Sequence, residues 1–555
     1  MDDMADTAAQ SADAKPASLR TVVAASSAGT TFEWYDFFVF GSLTGVISKT
    51  FFSGLPEAAG FAAALALFGA GFLFRPLGAL VFGRIGDRAG RKGAFLATVL
   101  LMGGATVAIG LLPSYAQAGA IGPALLILMR ILQGFALGGE YGGAAIYVAE
   151  HAPDNGRGGA TSWIQTSAAF GLGGALLVIL ATRTVLGTEA FDAWGWRVPF
   201  LLSGVLLAVS IWMRLKLTES PSFAKLKAAG NESKAPFAEA FGQWPNLKLV
   251  LLALVAVMFA QGAVWYTTFF YAQTFMERFL KVPPETISTL MLGATALSAV
   301  GYVLFGKLSD RIGRKPVLMF GMALMLVAYF PAFHMLTKTL NPALAEAEAT
   351  TPVTVIADPA GCSLQFDPVG KASFVTACDI AKSTLANAGV SYGNEAAAPG
   401  SPVLVRVGLQ TLPSADASGL PASVAKAVKA SVEARIKTAL AQSGYPPKAD
   451  PKRMNLWGAF GVLAVLVVAA TALYGPIAAS LVELFPTRIR YTALSLPYHI
   501  GTGWVGGFVP FTAFAIVTTV GDIYAGLWYP FAFTAVALAV CLLFYPETKG
   551  RPLDG

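Results

Sequence analysis

Apolar stretches of membrane-crossing length, separated by short polar connections, fill most of the chain. A helix needs roughly 20 mainly apolar residues to cross a bilayer. Twelve stretches qualify: 21–48, 60–83, 94–113, 121–149, 161–187, 197–217, 247–273, 286–306, 316–338, 455–482, 492–518 and 525–545. Two longer breaks interrupt them. Residues 218–246, with Lys225, Lys227 and Lys234, separate the first six spans from the rest and read as a linker. Residues 339–454 separate the ninth span from the tenth and are far longer than a connection requires. The pattern predicts an all-α membrane protein of two six-helix bundles, 21–217 and 247–545, with a module inserted in the second. A polar tail, 1–20, precedes the first bundle, and a short one, 546–555, comes after the second.

The halves repeat each other. GRIGDRAGRK at Gly83–Lys92 returns as GKLSDRIGRK at Gly306–Lys315, identical at six of ten positions. Glu150, Pro153 and Arg157 return with the same spacing as Glu483, Pro486 and Arg490. The first repeat is offset by 223 residues and the second by 333, so 110 residues are inserted between spans nine and ten. Trp34-Tyr35 and Trp265-Tyr266 form a weaker echo. Repeated halves of this kind are a mark of transport architectures.

Composition agrees. The chain is 55% hydrophobic and 13% charged, against about 25% charged in soluble domains. Its net charge of +7 sits in short loops, so membrane topology explains it better than nucleic acid does. Each decapeptide holds four cations, and Arg488 and Arg490 add two more, whereas 114–120 and 519–524 hold none. Decapeptides and both termini are therefore expected in the cytoplasm, and 339–454 outside it. The N-terminal tail lacks the cationic start and apolar core of a signal peptide and reads as disordered. The three cysteines, Cys362, Cys378 and Cys541, form no CxxC or Cys/His cluster, so no metal or cofactor is expected.

The decapeptide resembles the signature loop between helices two and three of the major facilitator superfamily. FEWYDFFVFG (32–41), FLFRPLGALVFG (72–83), RILQGFALGGEYGGAAIYVAE (130–150), WGWRVPF (194–200) and ELFPTRIRYTA (483–493) narrow the resemblance to its metabolite:proton symporters. It covers residues 20–338 and 455–550 but not the insertion. It implies a symporter of the bacterial inner membrane whose cargo is of the α-ketoglutarate, citrate, shikimate, or proline and betaine kind.

Charges inside a span cost roughly 2.5–3.5 kcal/mol each, which makes them functional candidates. Glu33 and Asp36 lie three apart on one face of the first span. Arg130 and Glu140 lie in the fourth, and Arg130 matches the helix-four arginine that the resemblance links to proton coupling. Asp36 is the expected proton carrier and Arg130 its conditional partner; a static pair locking two helices is the alternative. Arg75 in the second span either binds an anion through its bidentate fork or snorkels to the interface. Tyr141, Gln165, Gln261, Trp265, Tyr266, Tyr271, Tyr498 and His499 complete the expected substrate site, with helix packing or an aromatic belt as the plain alternative for each. Thr267 stands where pseudo-symmetry would place a second Asp36, so coupling is expected in the first half alone.

The decapeptides read as a cytoplasmic gate. Gly83 opens the first. Asp87 and Asp310 suit the start of a neighbouring helix, where the dipole favours anions. Arg88, Arg91, Arg311 and Arg314 are within reach of Glu150 and Glu483, and Arg157 and Arg490 extend the cluster. The glycines of 134–143 and 171–174 are not a phosphate loop, since no strand precedes them; they permit close helix approach.

In the insertion, TPVTVIAD and SPVLVRVGLQ read as strands. Residues 422–444 read as an amphipathic helix on Val424, Val428, Val432 and Ile436, so the module is α+β. Cys362 and Cys378 are spaced for a disulfide in an oxidising compartment. The expected function is proton-coupled import of a small di- or tricarboxylate by a monomer in the lipid bilayer, without nucleic-acid partners. The alternative is a symporter of zwitterionic osmolytes, against which weighs the lack of heptads in the residues to Gly555. A receptor or scaffold using the outer module is the competing class, and it has no use for inward charges. No nucleophile–base or metal pattern suggests an enzyme.

Overall fold

The computed structural model describes residues 18–54, 63–64, 67, 71–215, 219–363 and 374–553. Ten of its helices are long and apolar enough to cross a membrane. With Leu19–Ser42 and Arg75–Arg88 they supply the twelve spans. We number these α1 (Leu19–Ser42), α2 (Arg75–Arg88), α3 (Arg91–Leu111), α4 (Ile121–His151), α5 (Arg157–Leu186), α6 (Arg197–Leu215), α7 (Trp244–Arg278), α8 (Pro284–Ile312), α9 (Arg314–Leu340), α10 (Leu456–Leu484), α11 (Arg490–Val520) and α12 (Ala525–Phe544). Residues 1–17 of the expected tail, and part of the expected span 60–83, lie outside the described residues.

Within the first half α1 lies along α5 and α3 along α6; within the second α9 lies along α10. The halves meet where α5 lies along α8 and α2 along α11. The linker 218–246 is not plain loop but carries two short helices, Pro221–Ala228 and Pro236–Gly242.

The decapeptides are not loops either. The first is helical as far as Arg88, breaks at Ala89–Gly90 and resumes as α3 at Arg91. The second breaks at Gly313 between α8 and α9. Gly90 (φ 120°) and Gly313 (φ 107°) adopt backbone angles that side chains disfavour, which lets two long helices turn back within one or two residues.

Two helices that face the centre depart from α geometry. Widened π turns occur in α7 at Leu254–Met258 and Thr267–Tyr271, and in α11 at Ile500–Gly506. Each inserted residue rotates the remainder of its helix by about 100°. In α7 this brings Trp265, Phe269 and Phe270 to a partly open face while Tyr266 and Tyr271 turn inward.

The insertion comes after α9, so it lies at the end of the bundle opposite the decapeptides. It is α+β, with strands β1 (Val353–Ala357), β2 (Gly393–Ala396), β3 (Leu404–Val407) and β4 (Gln410–Pro413) in the order β2-β1-β3-β4. β1 runs parallel to β2 and antiparallel to β3. Both expected strands form, and β2, β4 and a helix at Ala377–Ala388 join them. The long helix spans Ala422–Gln442 and buries Val432 and Ile436, but Val424 is exposed, so the expected apolar stripe is covered only in its second half. Cys362 and Cys378 are joined by a disulfide. The module rests on the second half. Tyr392 donates its N–H to Gly521 O and its hydroxyl to Thr518 O, both at 2.6 Å. Ala449 N–H donates to Lys281 O (3.2 Å).

Candidate functional site

At the decapeptide end the halves are bolted together by matched capping bonds. Asp87 accepts the backbone N–H groups of Tyr491 (3.1 Å) and Thr492 (2.8 Å) at the start of α11. Asp310 accepts those of Gly158 (2.9 Å) and Gly159 (2.7 Å) at the start of α5. Each aspartate thus neutralises the positive end of a helix from the opposite half. Arg91 pairs with Asp87 and donates to Thr487 O (2.6 Å). Arg314 pairs with Asp310 (2.6 Å) and Glu483 (3.1 Å), Arg157 reaches Glu483 (3.4 Å), and Arg490 pairs with Glu150 (2.6 Å). Arg88 and Arg311 depart from expectation: they are exposed, and no ion pair involves them among the described residues. Their helix phase turns them away from the interface.

Sequence reasoning missed three parts of this end. Glu219 caps the N–H groups of Arg91 (3.0 Å) and Lys92 (3.3 Å). Glu547 does the same for Arg314 (2.8 Å) and Lys315 (3.1 Å). The signal was an acidic residue shortly after the sixth and the twelfth span. The third part is Tyr491, a fully buried ring that the second half inserts into the first. Its hydroxyl donates to Gly139 O. A Cβ on Gly142 would stand 3.0 Å from the ring, one on Gly143 2.5 Å from the hydroxyl, and one on Gly86 would overlap the ring. These glycines form a socket. Gly83 gives way similarly to Thr492, whose Cα would lie 2.8 Å from a Cβ there. Gly78, Gly134 and Gly138 serve the expected close approach of α2 and α4.

Toward the centre, Arg75 is 4% exposed, which answers the snorkelling alternative. Its guanidinium lies over Phe72 (4.3 Å) and Phe37 (5.1 Å). Its Nε and Nη2 have no hydrogen-bond partner among the described residues. Tyr266, Tyr474 and Tyr498 of the second half are within its electrostatic reach. Tyr498 stacks on Tyr141 (3.6 Å) across the interface and shares a 2.5 Å hydrogen bond with Tyr474. Gln165 donates to the Tyr141 hydroxyl (2.7 Å). His499 is buried near Arg75 and close to the Gly138 backbone, and neither ring nitrogen makes a well-formed hydrogen bond among the described residues. Gln261 is buried with its carbonyl oxygen unpartnered among the described residues. Tyr271 falls outside this group; it packs on Phe333 (5.6 Å) within the second half.

Asp36 is buried, with Ser203 and Thr106 as polar neighbours and Glu33 as its charged one. Its Oδ1 has no partner among the described residues. The expected contact with Arg130 is not made. Arg130 Nη1 instead donates to Gln133 Oε1 (2.8 Å), and Gln133 Nε2 donates to Thr106 Oγ1 (2.7 Å). Thr106 thus stands between the two charges. Glu33 and Glu140 share Arg214 Nη2, at 2.8 and 3.1 Å. Arg214 was missed because a cation near the end of a span reads as interfacial; in the fold it is 2% exposed. Thr267 Oγ1 donates to Ala263 O (2.7 Å), so the second half offers no equivalent of Asp36 there.

Between the halves, away from the decapeptides, lies a cavity of about 530 Å³ formed by α1, α5, α7 and α8. Phe38, Trp265, Phe269, Phe270 and Tyr302 give it an aromatic wall, and Gln273, Glu277 and Ser288 are exposed at its mouth.

This arrangement, sealed at one end and hollow at the other, invites comparison with known proteins. A family model described as sugar (and other) transporter matches residues 21–239, 223–354 and 447–555. The chain belongs to this family, and its fold is that of the major facilitator superfamily. The unmatched gap, 355–446, falls in the insertion. A proline/betaine transporter of Salmonella typhimurium is 35% identical over 338 residues, which is 58% of this chain and 66% of that protein. A shikimate transporter of Escherichia coli is 35% identical over 317 residues, 57% of this chain and 72% of that one. The chain thus spans just under two thirds of the first of these relatives. Among solved structures, the proton:xylose symporter XylE aligns over 97% of this chain and 98% of its own, with a TM-score of 0.63 and 15% identity. At that identity the likeness concerns the fold. The family members are transporters, not enzymes.

Proposed function

We propose that the chain is a proton-coupled symporter of a small zwitterionic solute of the proline or betaine kind, working by alternating access. The di- or tricarboxylate expectation gives way, because the relatives are named for proline/betaine and shikimate. The observation that carries the reading is Arg75, a single buried guanidinium with open donors at the junction of the halves. One such fork matches one carboxylate. The neighbours of Arg75 are three tyrosines, His499 and Arg130, and Arg130 is engaged by Gln133, which leaves a tricarboxylate's further charges without a free partner among these residues.

Asp36 is the proton carrier in this reading, since a buried carboxylate with an unpartnered oxygen is costly to keep charged. Glu33 and Glu140 are held by Arg214, which leaves Asp36 the freer of the three. Arg130 responds to it through Gln133 and Thr106 rather than by direct contact. The decapeptide end is cytoplasmic, in keeping with its exposed Arg84, Arg88 and Arg311, and the disulfide-bearing module is periplasmic. The bonds of Asp87 and Asp310 hold the cytoplasmic side shut and must break for release.

A second reading, a hydroxylated monocarboxylic acid, is favoured by the shikimate relative. The test is uptake into proteoliposomes under an imposed pH gradient, comparing betaine, proline, shikimate, α-ketoglutarate and citrate. Betaine and proline are expected to accumulate with the gradient. Gradient-independent uptake would remove the proton from the mechanism, and undiminished accumulation by Asp36→Asn would remove Asp36 from its role.

A further inference from the structure

The cavity between the halves has a composition that Arg75 does not explain. Among the described residues that line it there is no lysine, arginine or histidine, and the one charged side chain is Glu277. An anion entering alone would meet a carboxylate at the mouth and then rings. A cation would meet attraction at the rings and from Glu277, partly offset at the mouth by the neighbouring Lys281 and Arg278.

The rings that line it are packed at a tilt to one another. Trp265 lies 5.3 Å from Phe269 and 5.7 Å from Phe270, tilted by 46° and 52°. The Trp265 N–H donates to the Tyr302 hydroxyl (2.9 Å), which spends the indole's one donor and fixes its plane. With that donor spent, the indole has only its carbon framework to offer the cavity, and the face of that framework attracts cations. Phe38 closes the recess from the first half. Deeper in, Phe270 stacks on Tyr266 (5.2 Å), Tyr266 meets Phe72 (6.1 Å), and Phe72 carries the Arg75 guanidinium. Cation-attracting rings thus line the way in, and the carboxylate-binding fork lies behind a partition of two rings.

We infer that the recess of Trp265, Phe38, Phe269 and Phe270 binds the cationic end of the solute, an alkylated ammonium, as a first station before the solute passes the two-ring partition to Arg75, and that Glu277 draws it to the mouth. This rests on the symporter reading and adds to it a selection rule: the solute must carry a fixed positive charge, not only a carboxylate. Glu277, exposed at the mouth, acts over distance and mainly on the rate of entry. The rings act on affinity.

The test compares betaine with tert-butylacetate, its isostere in which carbon replaces the quaternary nitrogen. The two share shape and carboxylate and differ in the positive charge. Binding is measured by calorimetry on the purified full chain, and uptake in proteoliposomes. Betaine is expected to bind about tenfold or more tightly than tert-butylacetate, the scale of one desolvated cation–π contact. Trp265→Leu should erase that ratio by weakening betaine alone, and Trp265→Phe should keep most of it. Glu277→Gln should slow betaine entry at low salt and have little effect at high salt. Equal binding of the two compounds by the wild type, or equal weakening of both by Trp265→Leu, overturns the inference. Absence of gradient-driven uptake with the binding ratio intact overturns the symporter reading and leaves the recess standing.

Discussion

Replacing Gly86 with alanine puts a methyl group into the space occupied by Tyr491. The Cβ would overlap two ring atoms, and the ring has nowhere to retreat. Its hydroxyl is bonded to Gly139 O, its far edge faces Gly142, and its neighbour Thr492 is tied to Asp87. Overpacking of a close-fitting site costs about 1–3 kcal/mol, and with this little slack the upper half of that range applies. The clash exists only while α11 of the second half is seated against α2 of the first. Separating the halves at the decapeptide end relieves it. A penalty of about 2–3 kcal/mol therefore shifts the equilibrium between the two gate states by roughly 30- to 150-fold. The shift can be read at the other end of the molecule. A cysteine at Thr295, which lines the cavity, is introduced with Cys541 replaced by serine, and its labelling by a bulky maleimide is timed in detergent. Gly86→Ala is expected to slow labelling at least tenfold, because opening one end closes the other. Removing the ring as well, in Gly86→Ala/Tyr491→Ala, should recover part of the rate. Unchanged labelling in a Gly86→Ala protein of unchanged melting temperature would refute the socket as a lock.

Other perturbations probe other parts. Arg214→Met strands Glu33 and Glu140 in the bundle and should cost about 3–5 kcal/mol, seen as lost monodisperse protein; adding Glu33→Gln and Glu140→Gln should restore it, and a failure to do so would mean that Arg214 matters through packing. Reducing the Cys362–Cys378 disulfide, whose cysteines are 16 residues apart, should destabilise the insertion by about 3 kcal/mol while leaving the bundle's melting unchanged; coupled melting of the two would contradict a separately folded module. Burial pushes the Glu348 carboxyl above its ordinary value, and its bond to Ser391 only partly offsets this. A raised folded value means that its stabilising share is present in acid and lost as pH rises through that value. The module should therefore loosen with rising pH in that window, as read by hydrogen exchange, and Glu348→Gln should flatten the response.

Spans, duplication and insertion were legible in the sequence because each leaves a one-dimensional trace. Length and apolarity mark a helix that must satisfy its backbone within lipid. A repeated decapeptide marks duplication, and unequal offsets mark the extra module. The aspartates were legible for a related reason: a carboxylate beside a helix break suggests a cap. The partners were not. Asp87 meets Tyr491 from across the other half, and no local pattern encodes a contact over 404 residues. Arg214 drew no reading from the sequence, and its bond to Glu33, over 181 residues, is equally non-local.

The sequence by itself therefore determined the architecture and most of the buried charges, Arg214 excepted, since hydrophobic length and the cost of desolvation act on each segment separately. Only the tertiary structure decided how those charges are shared. It gave Glu33 and Glu140 to Arg214, set Thr106 between Asp36 and Arg130, left Arg75 with open donors, and turned a run of glycines into a socket for Tyr491. Each of these depends on which faces of two distant helices meet, and helix phase, altered here by π turns in α7 and α11, settles that only once the halves are packed together.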